Sequence, residues 1–196
     1  MAKTESDSTR REQRKAGKWA LTIFLVTILV SGTISFLSNE IMSRTGIAAA
    51  FVILLIIVVI GILFDIVGVA VTSADEKPFH SMAARKVPGA REAISLLRSA
   101  ERVSSICNDV VGDICGVVSG SASATIASQI LTHFTFSWPQ VVFLVMSALV
   151  AALTVGGKAI GKTFAIRSCT AIVHGVGKLI YTWNHFRALF RKKKDS

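Results

Sequence analysis

VSSICNDVVGDICGVVSGSASATIASQ, residues Val103 to Gln129, is the stretch that decides the fold of this chain. It is apolar enough to lie in a membrane, yet it contains an amide and two carboxylates, Asn108, Asp109 and Asp113. A charged side chain that faces lipid costs about 2.5 kcal/mol or more, even on the mildest scale. A helix formed by this stretch must therefore turn its polar side toward protein or water.

The polar residues of this helix fall on two adjacent stripes, because residues three and four apart share a face. One interpretation is an oxygen-rich site for a hard cation. The other is tight helix packing through small residues, with the carboxyl groups paired or neutralised. The first stripe is Asp109, Asp113, Gly116, Gly120 and Ser123, and the second is Asn108, Gly112, Gly116 and Ser119.

The composition indicates a multi-pass membrane protein. Of the 196 residues, 52% are apolar and 17% are charged, and the mean hydropathy is +0.58. That length allows about four or five spans of about 20 residues each. We therefore expect an all-α protein with four transmembrane helices and short juxtamembrane and interfacial helices. The three cysteines, Cys107, Cys115 and Cys169, lie in or near the spans and are interpreted as small apolar residues.

Two apolar segments precede the central stretch. Residues 1–18 form a polar, basic tail that we expect to be disordered, and residues 19–38 form an N-terminal membrane anchor. The strongest span is Ile47 to Val71, which only Asp65 interrupts. At 1.5 Å per residue, Asp65 lies about 27 Å from Ile47, near the far side of the hydrocarbon.

A charged segment, Asp75 to Arg102, separates that span from the central helix. Pro88-Gly89 divides it into two short helices that we place at the membrane surface. The last clear span is Val141 to Val155. Basic residues concentrate in the N-terminal tail, in the charged segment and after the last span. The positive-inside rule then puts both termini in the cytoplasm of a cell whose plasma or inner membrane holds the protein.

The basic C-terminal region predicts contact with lipid. Residues 172–190 carry apolar side chains at helical spacing with basic residues among them, which predicts an amphipathic helix at the membrane interface. The alternative, a fifth span, would put the basic tail of residues 191–196 on the outer side. The net charge is +10, and we assign it to topology and anionic lipid, not to nucleic acid. The side chains expected at lipid headgroups are Lys158, Lys162, Arg191, Lys192, Lys193 and Lys194.

GGKAIGKT, Gly156 to Thr163, matches the phosphate-binding pattern GxxxxGK[ST]. That mechanism needs a strand before the loop and a helix after it, whereas a 15-residue apolar run precedes the motif here. We expect the glycines to end a membrane helix instead. The four histidines form no pair at metal-ligand spacing, and no motif identifies an enzymatic reaction, so we do not expect an enzyme.

Three collinear stretches resemble the membrane domain shared by the CorC/CorB and CNNM proteins, also called DUF21. The first, residues 64–106, resembles the family pattern FSGSETALTS and the short basic helices after it, with Thr72 and Ser73 in place. The second is CNDVV, residues 107–111, which resembles GNNLV. The third is GKAIGKTFAI, residues 157–166, which resembles GEIIPKTLAI.

The resemblance covers residues 47–190 as one domain and leaves the N-terminal anchor as an addition. It implies a dimeric magnesium transporter whose ion sits between helices on polar oxygens. By position, Asn108 matches the first Asn of the family's Asn-Asn pair, Asp109 replaces the second, and Ser73 matches the serine of the first motif.

The chain also departs from the family pattern. The acidic residue of the first motif is lost, although Asp65 appears three places earlier, and the Glu of the third motif becomes Lys158. We expect the chain to lack the cytoplasmic CBS pair and the C-terminal domain of the family.

We therefore expect a membrane protein that binds or transports a divalent cation, first of all Mg²⁺, with no organic cofactor. The alternative is a non-transporting adaptor that keeps the fold and docks a partner protein or anionic lipid, as Lys158 in place of an acid suggests. A homodimer is expected from the resemblance and from the close packing that Gly112, Gly116 and Gly120 allow. The expected metal ligands are Asp65, Ser73, Asn108, Asp109 and Asp113.

Overall fold

The computed structural model describes the backbone of residues 2–134 and 137–194, and the side chains of residues 17, 21–22, 24–134 and 137–187. All of its regular elements are helices, which confirms the prediction of an all-α protein. In chain order they are α1 (Ala2–Arg44), α2 (Ile47–Ser73), α3 (Lys77–Ala84), α4 (Ala90–Arg98), α5 (Ala100–Ser105), a π-helix (Ile106–Gly112), α6 (Asp113–His133), α7 (Pro139–Arg167) and α8 (Cys169–Lys194).

Among the residues that the structure describes, four helical segments are long and apolar enough to cross a membrane, as the sequence predicted. They belong to α1, α2, the continuous run from α5 to α6, and α7. Helices of this kind belong in a lipid bilayer, because every backbone polar group is satisfied within the helix. Their bounds are Phe24–Arg44, Ile47–Ser73, Ala100–His133 and Pro139–Arg167.

The last span is longer than the sequence predicted, because the glycines after Val155 do not end it. The helix α7 continues through Gly156 and Gly157 to Arg167. A glycine inside a helix costs only about 1 kcal/mol, and here it allows a close helix contact. A Cβ on Gly157 would overlap the side chain of Ile62, which belongs to α2.

The helix α2 lies at the centre of the bundle and packs against α7, α6 and the π-helix. Apolar side chains form two separate cores along it. The outer core joins α2 to the end of α1, to α6 and to α7: Met42, Ala50, Leu54, Ala122, Ile126, Ala127, Met146 and Val150. The inner core joins the other end of α2 to the short helices, to α7 and to α8: Ala70, Val71, Phe79, Ala93, Leu97, Ala165 and Val173.

The helix α1 packs mainly against α6, where two polar contacts fix its last turns. The Thr125 Oγ1 donates to the Asn39 Oδ1 at 3.1 Å. The Gln129 Nε2 donates to the Met42 carbonyl oxygen at 2.6 Å. These contacts account for a helix that extends beyond residue 38, where the sequence ended the anchor. The helix also includes residues 2–18, for which the sequence predicted disorder.

The short helices α3 and α4 are separated at Pro88-Gly89, as predicted. Gly89 has φ of +86°, a conformation that favours glycine. Its backbone packs directly on that of Gly177 in α8, so neither residue has room for a side chain. The predicted amphipathic helix, residues 172–190, lies within α8, which packs against α4 and α2. Leu179 and Trp183, further along, are exposed.

Candidate functional site

An ion pair joins the two central spans. The Lys158 Nζ, on α7, lies 3.5 Å from the Asp65 Oδ1, on α2. Both side chains are largely covered, with exposed fractions of 25% for Lys158 and 16% for Asp65. Covered charges in a protein interior are stabilised only when they are paired. The pair therefore explains how α2 keeps a carboxylate inside a segment of otherwise apolar residues.

The end of the π-helix closes over this pair. A Cβ on Gly112 would lie 3.2 Å from the Lys158 Nζ and 3.6 Å from the Asp65 Oδ1. The same position lies 3.4 Å from the carbonyl oxygen of Cys107, one turn earlier. Gly112 thus leaves the two charges and a backbone carbonyl close together.

Asn108 lies one turn before Gly112 and faces the same part of α2. Its Nδ2 donates to the Ser104 Oγ at 3.1 Å. Its Oδ1 is buried and has no hydrogen-bond partner. The amide packs against Gly68, where an added Cβ would overlap it. Gly68 follows Asp65 by three residues and shares its helix face, so the unpartnered amide oxygen and the carboxylate lie one turn apart along α2.

Asn108 and Gly112 both lie in the π-helix, and both face α2. A π-helix bonds each N–H five residues back instead of four, which shifts the register of the side chains relative to a regular α-helix. Asp109, next to Asn108, is exposed. Short π-helical segments often mark functional sites, and this one carries one of the two buried side-chain oxygens that have no partner among the described residues.

The charged groups of the site lie at a common depth in the bundle. Asp65 is about 27 Å from the start of α2, and Lys158 is about 28 Å from the start of α7. Both helices start at the same end of the bundle, because α2 and α7 share the outer core with its Met146 and Val150. The hydrocarbon of a bilayer is about 30 Å thick. The pair is therefore placed near the edge of the apolar layer that is farther from the starts of α2 and α7.

The structure brings together only part of the predicted metal site. Asp65 and Asn108 both face the contact between α2 and the π-helix, about one turn of α2 apart. Asp109 and Asp113 are both exposed, and Ser73, the last residue of α2, is exposed two turns beyond Asp65. Among the side chains that the structure describes, no three His, Cys, Asp or Glu residues are close enough together to hold a metal ion.

The small residues of the central helix divide between the two faces. Gly112 lies against Lys158 and Asp65, whereas a Cβ on Gly116 or Gly120 would meet nothing within 4 Å. Ser119 and Ser123 are buried, with exposed fractions of 1% and 2%, and their hydroxyls donate to carbonyl oxygens of their own helix. Within one copy of the chain, the side of the central helix that faces away from the bundle therefore carries Gly116, Gly120, Asp109 and Asp113. We call this side the outer face.

The basic residues that the sequence assigned to lipid headgroups lie in different environments. Lys158 points to Asp65, and Lys162, one turn further along α7, is exposed. The side chains of Arg191, Lys192, Lys193 and Lys194 lie outside the described ones. Sequence reasoning missed Lys158 as the partner of Asp65. The signal was present, because an acid and a base stand at equal distances from the starts of two apolar spans.

The GGKAIGKT motif lies entirely within α7. A phosphate-binding loop works through a turn whose backbone N–H groups point at the phosphates, whereas the backbone of these residues is engaged in helix hydrogen bonds. The motif does not form that loop here.

No protein-family model matches the chain, and neither a curated protein nor a solved structure matches it significantly. The assignment to the DUF21 family stays a prediction from the three sequence stretches.

Proposed function

We propose that this membrane protein binds or transports a divalent cation, with Mg²⁺ as the first candidate. The observation that supports this proposal is a pair of covered oxygen acceptors on neighbouring helices. They are the Asp65 carboxylate and the Asn108 amide oxygen, which has no donor of its own. Hard cations take oxygen ligands of these two kinds, and Mg²⁺ keeps several waters when it binds to them.

The ammonium of Lys158 lies beside Asp65, where a bound cation would otherwise lie. Its ammonium neutralises Asp65, so a divalent ion has to displace it to reach the carboxylate. A lysine near the inner edge of a span extends toward the headgroups on its flexible stem. We propose that Lys158 competes with the ion and so sets the concentration at which the ion binds.

The exposed carboxylates have a separate role in this proposal. Asp109 and Asp113 lie on the outer face of the central helix, close in sequence to Asn108. Carboxylates that line an approach raise the local concentration of cations. In the proposed homodimer a second copy covers this face, where Gly116 and Gly120 leave room for a helix. The proposed location is the plasma or inner membrane, with both termini in the cytoplasm.

The test is a Mg²⁺ titration of thermal stability on the full chain in neutral detergent, at constant ionic strength. A ligand that binds only the folded protein stabilises it by about 2.7 kcal/mol at a hundredfold excess over its dissociation constant. We expect wild type to be stabilised by Mg²⁺ and Asp65→Asn to lose the effect. Lys158→Met should bind Mg²⁺ about tenfold more tightly or better, since a nearby like charge costs about 1–4 kcal/mol.

The matched control is Glu101→Gln, which removes an exposed carboxylate from α5, outside the site. It should respond to Mg²⁺ as wild type does. The same variants in sealed vesicles with a Mg²⁺-sensitive dye then separate transport from binding. If neither wild type nor Lys158→Met responds to Mg²⁺, or if Asp65→Asn responds as they do, the cation proposal is wrong.

The second candidate is a non-transporting adaptor, and the Asp65–Lys158 pair itself favours it. Lys158 neutralises Asp65, so this covered carboxylate needs no bound ion to balance its charge. In this proposal the basic tail and the exposed part of α8 dock anionic lipid or a partner protein. It predicts no ion dependence of stability in any variant and one reproducible protein that co-purifies with the chain.

A further inference from the structure

A cavity with charged residues on its lining lies away from the Asp65 site, where the turn between α3 and α4 meets α8. It has a volume of about 350 Å³. It shares no lining residue with the ion pair. The polar and turn residues that line it are Lys86, Pro88, Gly89, Arg91, Glu92 and Tyr181.

The cavity carries an excess of positive charge. Lys86 and Arg91 are exposed, and within the described part of the chain neither forms an ion pair. Glu92 is the one carboxylate on the lining, and it is half-buried. Lys178, whose backbone packs against Gly89, adds a further cation nearby. Unpaired cations on a concave surface concentrate the field and attract an anion.

The wall that carries these cations is fixed in position. Gly89 is buried against the backbone of Gly177, and the Pro88 carbonyl oxygen lies 3.3 Å from the His174 Nε2. Lys86 has φ of 56° within a turn closed by its own backbone N–H. Lys86 therefore extends from the turn and Arg91 from the first turn of α4, on either side of the contact between Gly89 and α8.

We propose that this cavity binds the phosphate group of an organic phosphate ester. Arg91 offers a planar fork that matches two phosphate oxygens, Lys86 offers a point charge, and Tyr181 offers a hydroxyl donor. The volume leaves room for part of the organic group beside the phosphate. A phospholipid headgroup and a soluble phosphate ester share this chemistry. The proposal does not depend on the cation site.

The test measures binding of two probes to the full chain in neutral detergent, at constant ionic strength. One probe is short-chain phosphatidylglycerol and the other is glycerol phosphate. We expect Arg91→Gln and Lys86→Gly to weaken binding by about tenfold or more, since each removes a charge-assisted contact. Glu92→Gln should tighten binding, because it removes the carboxylate of the lining. Glycine suits the left-handed φ of residue 86, so loss of binding by Lys86→Gly is not a folding effect.

The control is Lys77→Gln, which removes an exposed cation from α3 without touching the cavity. It should bind both probes as wild type does. Binding of the lipid alone identifies a membrane headgroup as the ligand, whereas binding of glycerol phosphate as well identifies a soluble ester. The proposal is overturned if wild type binds neither probe, or if Arg91→Gln and Lys86→Gly bind as tightly as Lys77→Gln.

Discussion

The amide of Asn108 occupies the space beside Gly68 that a methyl group would need. Gly68, on α2, thus faces the amide oxygen of Asn108. Among the described residues of the π-helix, this is the one side-chain amide oxygen without a hydrogen-bond partner. This contact holds the Asn108 amide about one turn of α2 away from Asp65.

Gly68→Ala should displace the Asn108 amide and destabilise the protein by about 1–3 kcal/mol, the usual cost of overpacking a closely packed contact. It should also weaken any Mg²⁺ response, because the acceptor moves away from Asp65. Denaturation in mixed micelles measures the stability. Gly156→Ala, in α7, is the control, since its Cβ would meet nothing within 4 Å, and equal losses in the two variants would contradict the contact between Gly68 and Asn108.

The Asp65–Lys158 pair should show coupling in a double-mutant cycle. Asp65→Asn or Lys158→Met alone leaves a covered charge without its partner, which destabilises a protein strongly. Asp65→Asn/Lys158→Met removes both charges and should recover much of the loss, with a coupling energy of about 0.5–3 kcal/mol. Free energies of unfolding for the four proteins supply the measurement. Simple additivity would show that the two side chains do not interact.

Gln129→Ala should loosen α1 from α6. It removes the donor to the Met42 carbonyl oxygen, and one hydrogen bond contributes about 0.5–1.5 kcal/mol. Hydrogen exchange should therefore become faster in the last turns of α1, while α7 is unaffected. Gln140→Ala, at an exposed position at the start of α7, serves as the comparison. Unchanged protection of α1 in Gln129→Ala would refute this role for the contact.

Gly89→Ala should separate α8 from α4. A Cβ at this position would lie 2.5 Å from the Lys178 backbone nitrogen, and φ is +86°, so both the space and the conformation exclude a side chain. The helix α8 should then become accessible to protease within its first half. Gly175→Ala has open space around its Cβ and should be neutral or stabilise α8 by about 0.5–1 kcal/mol. A protease-resistant Gly89→Ala protein would contradict the packing described.

The four spans and the short helices were predictable because hydropathy and turn residues act locally. Pro88-Gly89 marks a break in any context, and Ile47 to Val71 is long enough for a span whatever lies next to it. The continuation of α7 through Gly156 and Gly157 was not predictable. It depends on Ile62 of the neighbouring helix, which packs where side chains on α7 would be.

The site was only partly predictable for the same reason. Asp65 and Asn108 were identified as ligand types, and both face the contact between α2 and the π-helix. Asp109 and Asp113 were predicted to belong to the same site, whereas both are exposed. Helical spacing alone does not show which side of a helix packs against its neighbours. The pairing of Asp65 with Lys158 required the distance between two helices.

The π-helix also stores one residue that a regular α-helix would not need. A deletion within Ile106–Gly112 therefore has a way to be absorbed, because the segment can return to α-helical hydrogen bonding and remain continuous with α6. The helices on either side then keep their orientation about the helix axis, whereas the same deletion from a regular α-helix would turn one side against the other by about 100°. This segment is therefore the place in the central span where the chain can change length by one residue and still present the same face to α2.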